Sequence, residues 1–305
     1  MQGMRHLSGG TFTMGSDRFY PEERPVHRVE VNGFWMDTHP VTNAEFRRFV
    51  KATGHITAAE QPPDPAGYPG ADPDLLVPGS LVFQPASGPV DLRDWRAWWA
   101  WVPGASWRHP EGPGSTLHGR ERHPVVHVAY EDAEAYAAWA GKALASEAEW
   151  EFAARGGLEG KVFCWGDEFA PRGRIMANTW QGEFPWQNLL LDRYAGTSPV
   201  GAFPPNVYGL VDMAGNVWEW TSASFTSRHP GAAGKPCCMP HNPQPASPPG
   251  LEQIPRKVVK GGSHLCAPNY CLRYRPAARQ GEAEDTSTGH IGLRCIVRGA
   301  TPAPA

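Results

Sequence analysis

Residues 26–54 read VHRVEVNGFWMDTHPVTNAEFRRFVKATG, and the fold class turns on how this stretch changes period. Val26, Arg28 and Glu30 alternate with His27, Val29 and Val31, a two-residue repeat that predicts a strand within 26–37. After Pro40 the repeat lengthens. Thr42 and Glu45 stand at capping-box spacing, Phe46, Phe49 and Val50 recur at helical intervals, and Gly54 supplies a stop, so a helix is expected over 42–54. A strand followed directly by a short capped helix is the signature of a mixed fold.

Working outward, a second helix is expected over about 131–140, ending before Gly141, and a third from Ser146 to Gly156-Gly157, with Glu149 three residues after its cap. Runs rich in β-branched residues predict strands at 124–128, 257–260 and 291–297. Two Pro- and Gly-rich regions, 57–122 and 182–255, are too long to be ordinary connections and are expected to carry functional surface. The short elements are interleaved and none has its own apolar core. The expectation is one compact, loop-rich α+β domain over 1–305 with little regular secondary structure and tails at about 1–5 and 299–305.

Composition fits a folded enzyme. The 32 prolines and 34 glycines among 305 residues stay below the roughly 25–30% at which disorder becomes the default. Thirteen tryptophans imply a core and grooves built from rings. Acidic and basic residues nearly balance, at 31 and 28, without blocks of one sign, which argues against nucleic-acid and membrane partners. Met1–Gly10 shows no apolar run behind a positive end, and no stretch approaches the roughly 18 apolar residues of a membrane span. A cytoplasmic monomer is expected. The six cysteines, at 164, 237, 238, 266, 271 and 295, are few for a disulfide scaffold and favour thiol or metal roles.

Residues 261–279 read GGSHLCAPNYCLRYRPAAR. In a continuous helix Cys266 and Cys271 would lie about 140° apart around the axis, so their sulfurs can meet only where the backbone leaves the helix. Pro268 makes that departure plausible. Two thiolates with no His or Asp between them suit a soft, low-coordinate ion such as Cu(I), whereas zinc asks for four ligands. On spacing alone, a disulfide or two core thiols are the commoner readings.

This segment belongs to a series of stretches: GGTFTMGS at 9–16, VTNAEFRRFVKATGH at 41–55, WRHPEGPGS at 107–115, HPVVHVAYEDAEAYAAWAGK at 123–142, SEAEWEFAARGGLEG at 146–160, ANTWQGEFP at 177–185 and AFPPNVYGLVDMAGNVWEWTS at 202–222. The series, running from about Gly9 to Cys295, resembles the formylglycine-generating enzymes, or sulfatase-modifying factors. The resemblance implies a fold related to C-type lectin-like folds and a Cu(I) ion held by Cys266 and Cys271. A client cysteine would join as a third sulfur, and O2 would be the oxidant. The client implied is an unfolded sulfatase bearing Cys-x-Pro-x-Arg. Ser263 and Trp218 match positions beside that pocket, with a turn hydroxyl and a core ring as their plain alternatives. Two structural Ca2+ sites are also implied, one at Asn178, Thr179, Asp192 and Tyr194 and the other at Asp212, Gly215, Val217 and Glu219. Ala267 replaces the His common after the first cysteine.

Trp98, Trp99, Trp101 and Trp107 are candidates for a peptide groove, with burial in the core the commoner fate of clustered tryptophans. Cys237-Cys238-Met239-Pro240-His241 has no counterpart in the family pattern and is expected as a solvated loop or redox pair. Cys164 and Cys295 read as buried thiols, with a mutual disulfide left open. Two rival functions remain: a lectin-like binding module without chemistry, and an iron-dependent sulfoxide synthase, which needs a histidine triad. His123 and His127 are the nearest pair for the latter, yet four residues along a strand span about 13 Å.

Overall fold

The computed structural model describes residues 2–229, 241–243 and 254–299; Cys237 and Cys238 lie outside them. The opening stretch forms strands β1 (Met4–Leu7), β2 (Gly10–Met14), β3 (His27–Val31) and β4 (Phe34–Asp37). The strand expected at 26–37 is therefore two, broken at Asn32-Gly33, and the two halves join different sheets. Residues 4 and 5, expected in a tail, pair with Asp37 and Met36 of β4.

Helix α1 (Asn43–Thr53) follows as the sequence predicts. Thr42 Oγ1 accepts the Glu45 N–H, Glu45 accepts in return from the Thr42 N–H at 2.8 Å, and Gly54 closes the helix in the left-handed region at φ 71°. Phe46, Phe49 and Val50 are buried. Next come the hairpin β5 (Gly79–Phe83) and β6 (Trp99–Pro103), then α2 (Tyr130–Trp139), β7 (Ala143–Leu144) and α3 (Glu147–Arg155), the last capped by Ser146. The chain closes with β8 (Trp218–Ser224), β9 (Arg256–Lys260), β10 (Arg279–Ala283), β11 (Ile291–Leu293) and β12 (Cys295–Arg298). Both regions expected to be irregular thus contain strands.

One sheet has the order β1-β4-β12-β7 and a second β10-β9-β8-β11, with β11 parallel to β8. The predicted strand 291–297 splits because β11 and β12 belong to these two sheets. Arg294 sits at the switch and is 1% exposed. It binds Glu219 at 2.8 Å and donates to the carbonyls of Asp37 and Val211. The expected strand at 124–128 does not form. His127 has φ 58°, its N–H goes to the Thr288 carbonyl, and Val125, Val126 and Val128 fill the core from an irregular run. Among the described residues no helix is long and apolar enough to cross a membrane.

The main core joins α1, α3 and both four-stranded sheets. A smaller aromatic cluster of Trp98, Trp180, Phe184, Leu265 and Ala267 stands beside it. The boundary between the two clusters is where the cysteine segment runs.

Candidate active site: a buried thiol pair

The segment leaves β9 through Gly261-Gly262. Gly262 has φ 70°, and a Cβ there would meet the Tyr274 nitrogen at 2.8 Å, so only glycine lets the incoming chain lie against the outgoing one. Ser263 O then accepts the Cys266 N–H at 3.0 Å. Past Pro268, the Ala267 carbonyl accepts from both the Tyr270 N–H at 3.1 Å and the Cys271 N–H at 2.7 Å, a single turn not continued as a helix. The break at Pro268 brings the two sulfurs to the same side. Cys266 Sγ and Cys271 Sγ lie 3.1 Å apart, both buried. A disulfide needs about 2.05 Å, and both are free thiols.

Burial pushes the Cys266 thiol well up. The hydrogen bond from Cys266, and then the Arg273 guanidinium, bring Cys271 down despite burial. The two sulfurs are thus held unequally, with the proton favoured on Cys266 and the negative charge on Cys271. Arg273 Nη1 stands 3.9 Å from Cys271 Sγ, and its Nη2 is fixed by Glu22 at 2.7 Å. The guanidinium lies 3.9 Å over the Tyr20 ring, and the Tyr20 hydroxyl accepts the Leu272 N–H at 3.0 Å. Residues 20–23 therefore strap the chain just after Cys271.

The opposite wall is apolar. Phe184 stacks on Tyr270 at 4.5 Å and 7°, Trp98 packs edge-on against both, and the Trp180 N–H binds the Cys266 carbonyl at 3.0 Å. Two facing thiols, both buried beside aromatic rings, fit a soft, low-coordinate ion such as Cu(I). Among the described residues no group of three or more His, Cys, Asp or Glu could hold a metal, so the four-ligand zinc arrangement does not fit here.

Ser263 touches the pair: its N–H donates to Cys266 Sγ at 3.4 Å, and its Oγ accepts the Leu265 N–H at 3.2 Å. Trp218 is buried in the core cluster that contains both cysteines, and its N–H binds the His290 carbonyl. Trp98 and Trp107 are core, at 1% and 0% exposed, rather than groove; Trp99 and Trp101 are only partly buried. His127 spends one ring nitrogen on Ser80 and the other on the Pro110 carbonyl, and His123 binds Thr197. Those two histidines hold framework, which removes the basis for an iron site on them. Cys164 and Cys295 are both free and buried, so the mutual disulfide is not formed. Burial raises the Cys164 thiol to about 12.

The two quartets expected to hold cations differ. Asn178 Oδ1 and Asp192 Oδ2 are buried with no hydrogen-bond partner. Orphaned oxygens of this kind, one from a carboxylate, fit a hard cation that would complete them. In the second quartet Glu219 is already paired with Arg294 and accepts the Trp150 indole N–H at 2.7 Å. Asp212 accepts the Gly201 N–H at 2.7 Å. Both carboxylates of this quartet therefore already have partners, and Glu219 serves the junction between sheets. The two loops nonetheless meet: the Asn216 N–H binds the Asn178 carbonyl, and a Cβ on Gly215 would sit 2.1 Å from that oxygen.

Sequence reasoning missed the strap and a buried charge cluster beneath it. Arg275 pairs with Glu23, Arg279 with Glu147, and Lys260 with Glu151 at 3.0 Å. The capping signals on α3 pointed to the helix, yet gave no sign that Glu147 and Glu151, one turn apart, face inward.

Fold and site together define a class, a loop-rich α+β scaffold whose central turn presents two converging reduced thiols against an aromatic wall. Residues 1–299 match the model of the sulfatase-modifying factor enzyme 1-like domain. The formylglycine-generating enzyme of Mycobacterium tuberculosis is 57% identical over 294 residues, 95% of this chain and 96% of that protein. That of Streptomyces coelicolor is 46% identical, covering 96% and 88%. The solved structure of PvdO from Pseudomonas aeruginosa aligns with a TM-score of 0.63 at 27% identity, covering 96% of this chain and 93% of that one. The chain belongs to the formylglycine-generating enzyme, or sulfatase-modifying factor, family.

Proposed function

We propose that this chain uses O2 to convert a cysteine within Cys-x-Pro-x-Arg of an unfolded sulfatase polypeptide to Cα-formylglycine, with Cu(I) held by Cys266 and Cys271. The observation that carries the reading is the pair of reduced sulfurs 3.1 Å apart in a buried pocket. The names of the relatives support the class of activity. Bound copper would supply one-electron chemistry with oxygen that thiols alone lack.

The chain's own residues prepare for it. Thiols must be deprotonated to bind a metal; Arg273 favours that loss at Cys271, whereas burial opposes it at Cys266. Trp98, Phe184 and Tyr270 exclude water from one side, which limits the escape of activated oxygen. Tyr20 is partly exposed and Pro268, Asn269 and Tyr270 are exposed, so a client thiol approaches from the side where the 268–270 turn reaches the surface. An extended client is required because the sulfurs are buried. A Ca2+ ion completing Asn178 and Asp192 would stiffen the loop that ends in Phe184.

The test is to incubate the purified chain with Cu(I), O2 and a peptide containing Cys-Thr-Pro-Ser-Arg, and to follow the product by mass spectrometry. Loss of sulfur with gain of an aldehyde is expected. Unchanged peptide with a copper-loaded chain would favour a binding module instead.

A further inference from the structure

Away from the thiol pair, the C-terminal half of α1, the 54–60 turn and Arg108 line an open surface cavity of about 470 Å³. That is within the roughly 300–1,000 Å³ of small-molecule sites. None of its lining residues belongs to the thiol pocket. Val50 and Ile56 give it an apolar side, Ile56 being 59% exposed.

The rest of the lining is cationic. Arg47 and Lys51 are one turn apart on α1, so both project to the same face. Neither makes an ion pair among the described residues. Arg108 lies 4.3 Å over the Trp107 ring and shares its charge with Glu60 at 3.2 Å, the only carboxylate in the lining. His55 is fixed by Asp132, which accepts from its Nε2 at 2.8 Å and favours the protonated ring. Asp132, which also accepts the Ala129 N–H at 2.9 Å as the cap of α2, balances the charge of that ring, so the positive charge of the lining comes from Arg47, Lys51 and Arg108. Two cations without an ion-pair partner among the described residues, a third half-paired and a held imidazole thus line one cavity with an apolar side.

We propose that this cavity is a binding site for a small organic molecule carrying a phosphate or sulfate group, the oxyanion held by Arg47, Lys51 and Arg108 and the organic body resting on Val50 and Ile56. Arg108 and Arg47 offer forked N–H donors that match such oxygens, and Lys51 adds a point charge. A volume of about 470 Å³ lined by eight residues suits a compact ligand rather than an extended acidic peptide. The inference is independent of the copper reading.

Phenyl phosphate is the probe, followed by NMR at the His55 ring and by calorimetry, with sodium chloride at matched ionic strength as the control. Saturable shifts at His55 are expected, with inorganic phosphate and benzyl alcohol each binding more weakly. The double change Arg47→Gln and Lys51→Gln, at exposed positions where folding is unaffected, should weaken phenyl phosphate roughly tenfold or more, and Ile56→Ser should narrow its advantage over inorganic phosphate. Shifts that do not saturate, that chloride reproduces, or that survive the double change would overturn the proposal. So would saturation by a Glu-rich peptide without saturation by phenyl phosphate.

Discussion

Changing Glu151 to Gln keeps the shape of a fully buried side chain and removes its charge. In the cluster under the strap, Glu147 and Glu151 face Arg155, Arg279 and Lys260. His229, pushed down to about 4 mainly by burial, is neutral at pH 7. Three cations against two carboxylates become three against one. Arg155 loses its carboxylate partner, and Lys260 retains only Glu147 at 3.6 Å. Breaking one side of a buried ion pair costs about 3–5 kcal/mol. Titration leads to a similar figure. Burial alone would raise the Glu151 carboxyl, but Lys260 and Arg155 overcome it and hold the group at about 2. Against an unfolded value of about 4.3, that depression corresponds to about 3 kcal/mol. With an unfolding entropy of about 2.1 cal/mol/K per residue over 305 residues, a loss of about 3 kcal/mol lowers the melting midpoint by about 5 °C. Because the folded value is depressed, this stabilisation is full above about pH 4.5 and fades as pH falls toward 2. Calorimetric melts of both proteins from pH 7 downward should show the deficit at neutral pH and its narrowing in acid. A deficit under about 1 kcal/mol at pH 7, or one that does not narrow below pH 4.5, would refute the assignment.

Other consequences follow from single contacts. The hydrogen bond to Asp132 raises the His55 imidazole against partial burial, so its stabilisation is full below about pH 6.5 and is lost as pH rises through the raised value. His55→Gln should flatten that part of the stability profile between about pH 6 and 8, as read from urea midpoints. Gly262→Ala forces a Cβ against the Tyr274 backbone and should destabilise by more than about 1 kcal/mol while lowering Cu(I) affinity in a chelator competition; unchanged copper affinity would count against the turn as the device that sets the sulfurs. Chelation with EGTA should lower the melting midpoint through the Asn178 and Asp192 oxygens, with Glu219→Gln still responding to it. An unchanged melt would leave those oxygens without the proposed ion.

Elements with local signals were legible in the sequence. The Thr42–Glu45 and Ser146–Glu149 boxes and the stops at Gly54 and Gly156 place α1 and α3 because caps depend on neighbours in the chain. The valines at 124–128 misled because β-branched residues suit any buried extended run, and whether a ladder forms depends on a partner strand; here the partner is the Thr288 loop. The site divides in the same way. Pro268 announced a break between Cys266 and Cys271, and resemblance supplied the metal. The Tyr20–Arg273 strap, with its partners 253 positions apart in the numbering, has no local signature, and neither has the pairing of Arg294 with Glu219. The cation quartets show a further limit: the same kind of residues leaves orphaned oxygens at Asn178 and Asp192 but a closed ion pair at Glu219, a difference set by where Arg294 falls in three dimensions.

In the proposed function Cys266 and Cys271 together hold one copper ion with a side left free. X-ray absorption at the copper edge of the Cu(I)-loaded chain measures it directly. Two sulfur neighbours are predicted, rising to three when the Cys-Thr-Pro-Ser-Arg peptide is added under exclusion of oxygen, with one lost in either Cys266→Ser or Cys271→Ser. A copper shell of nitrogen or oxygen, or a sulfur shell indifferent to both replacements, would contradict it.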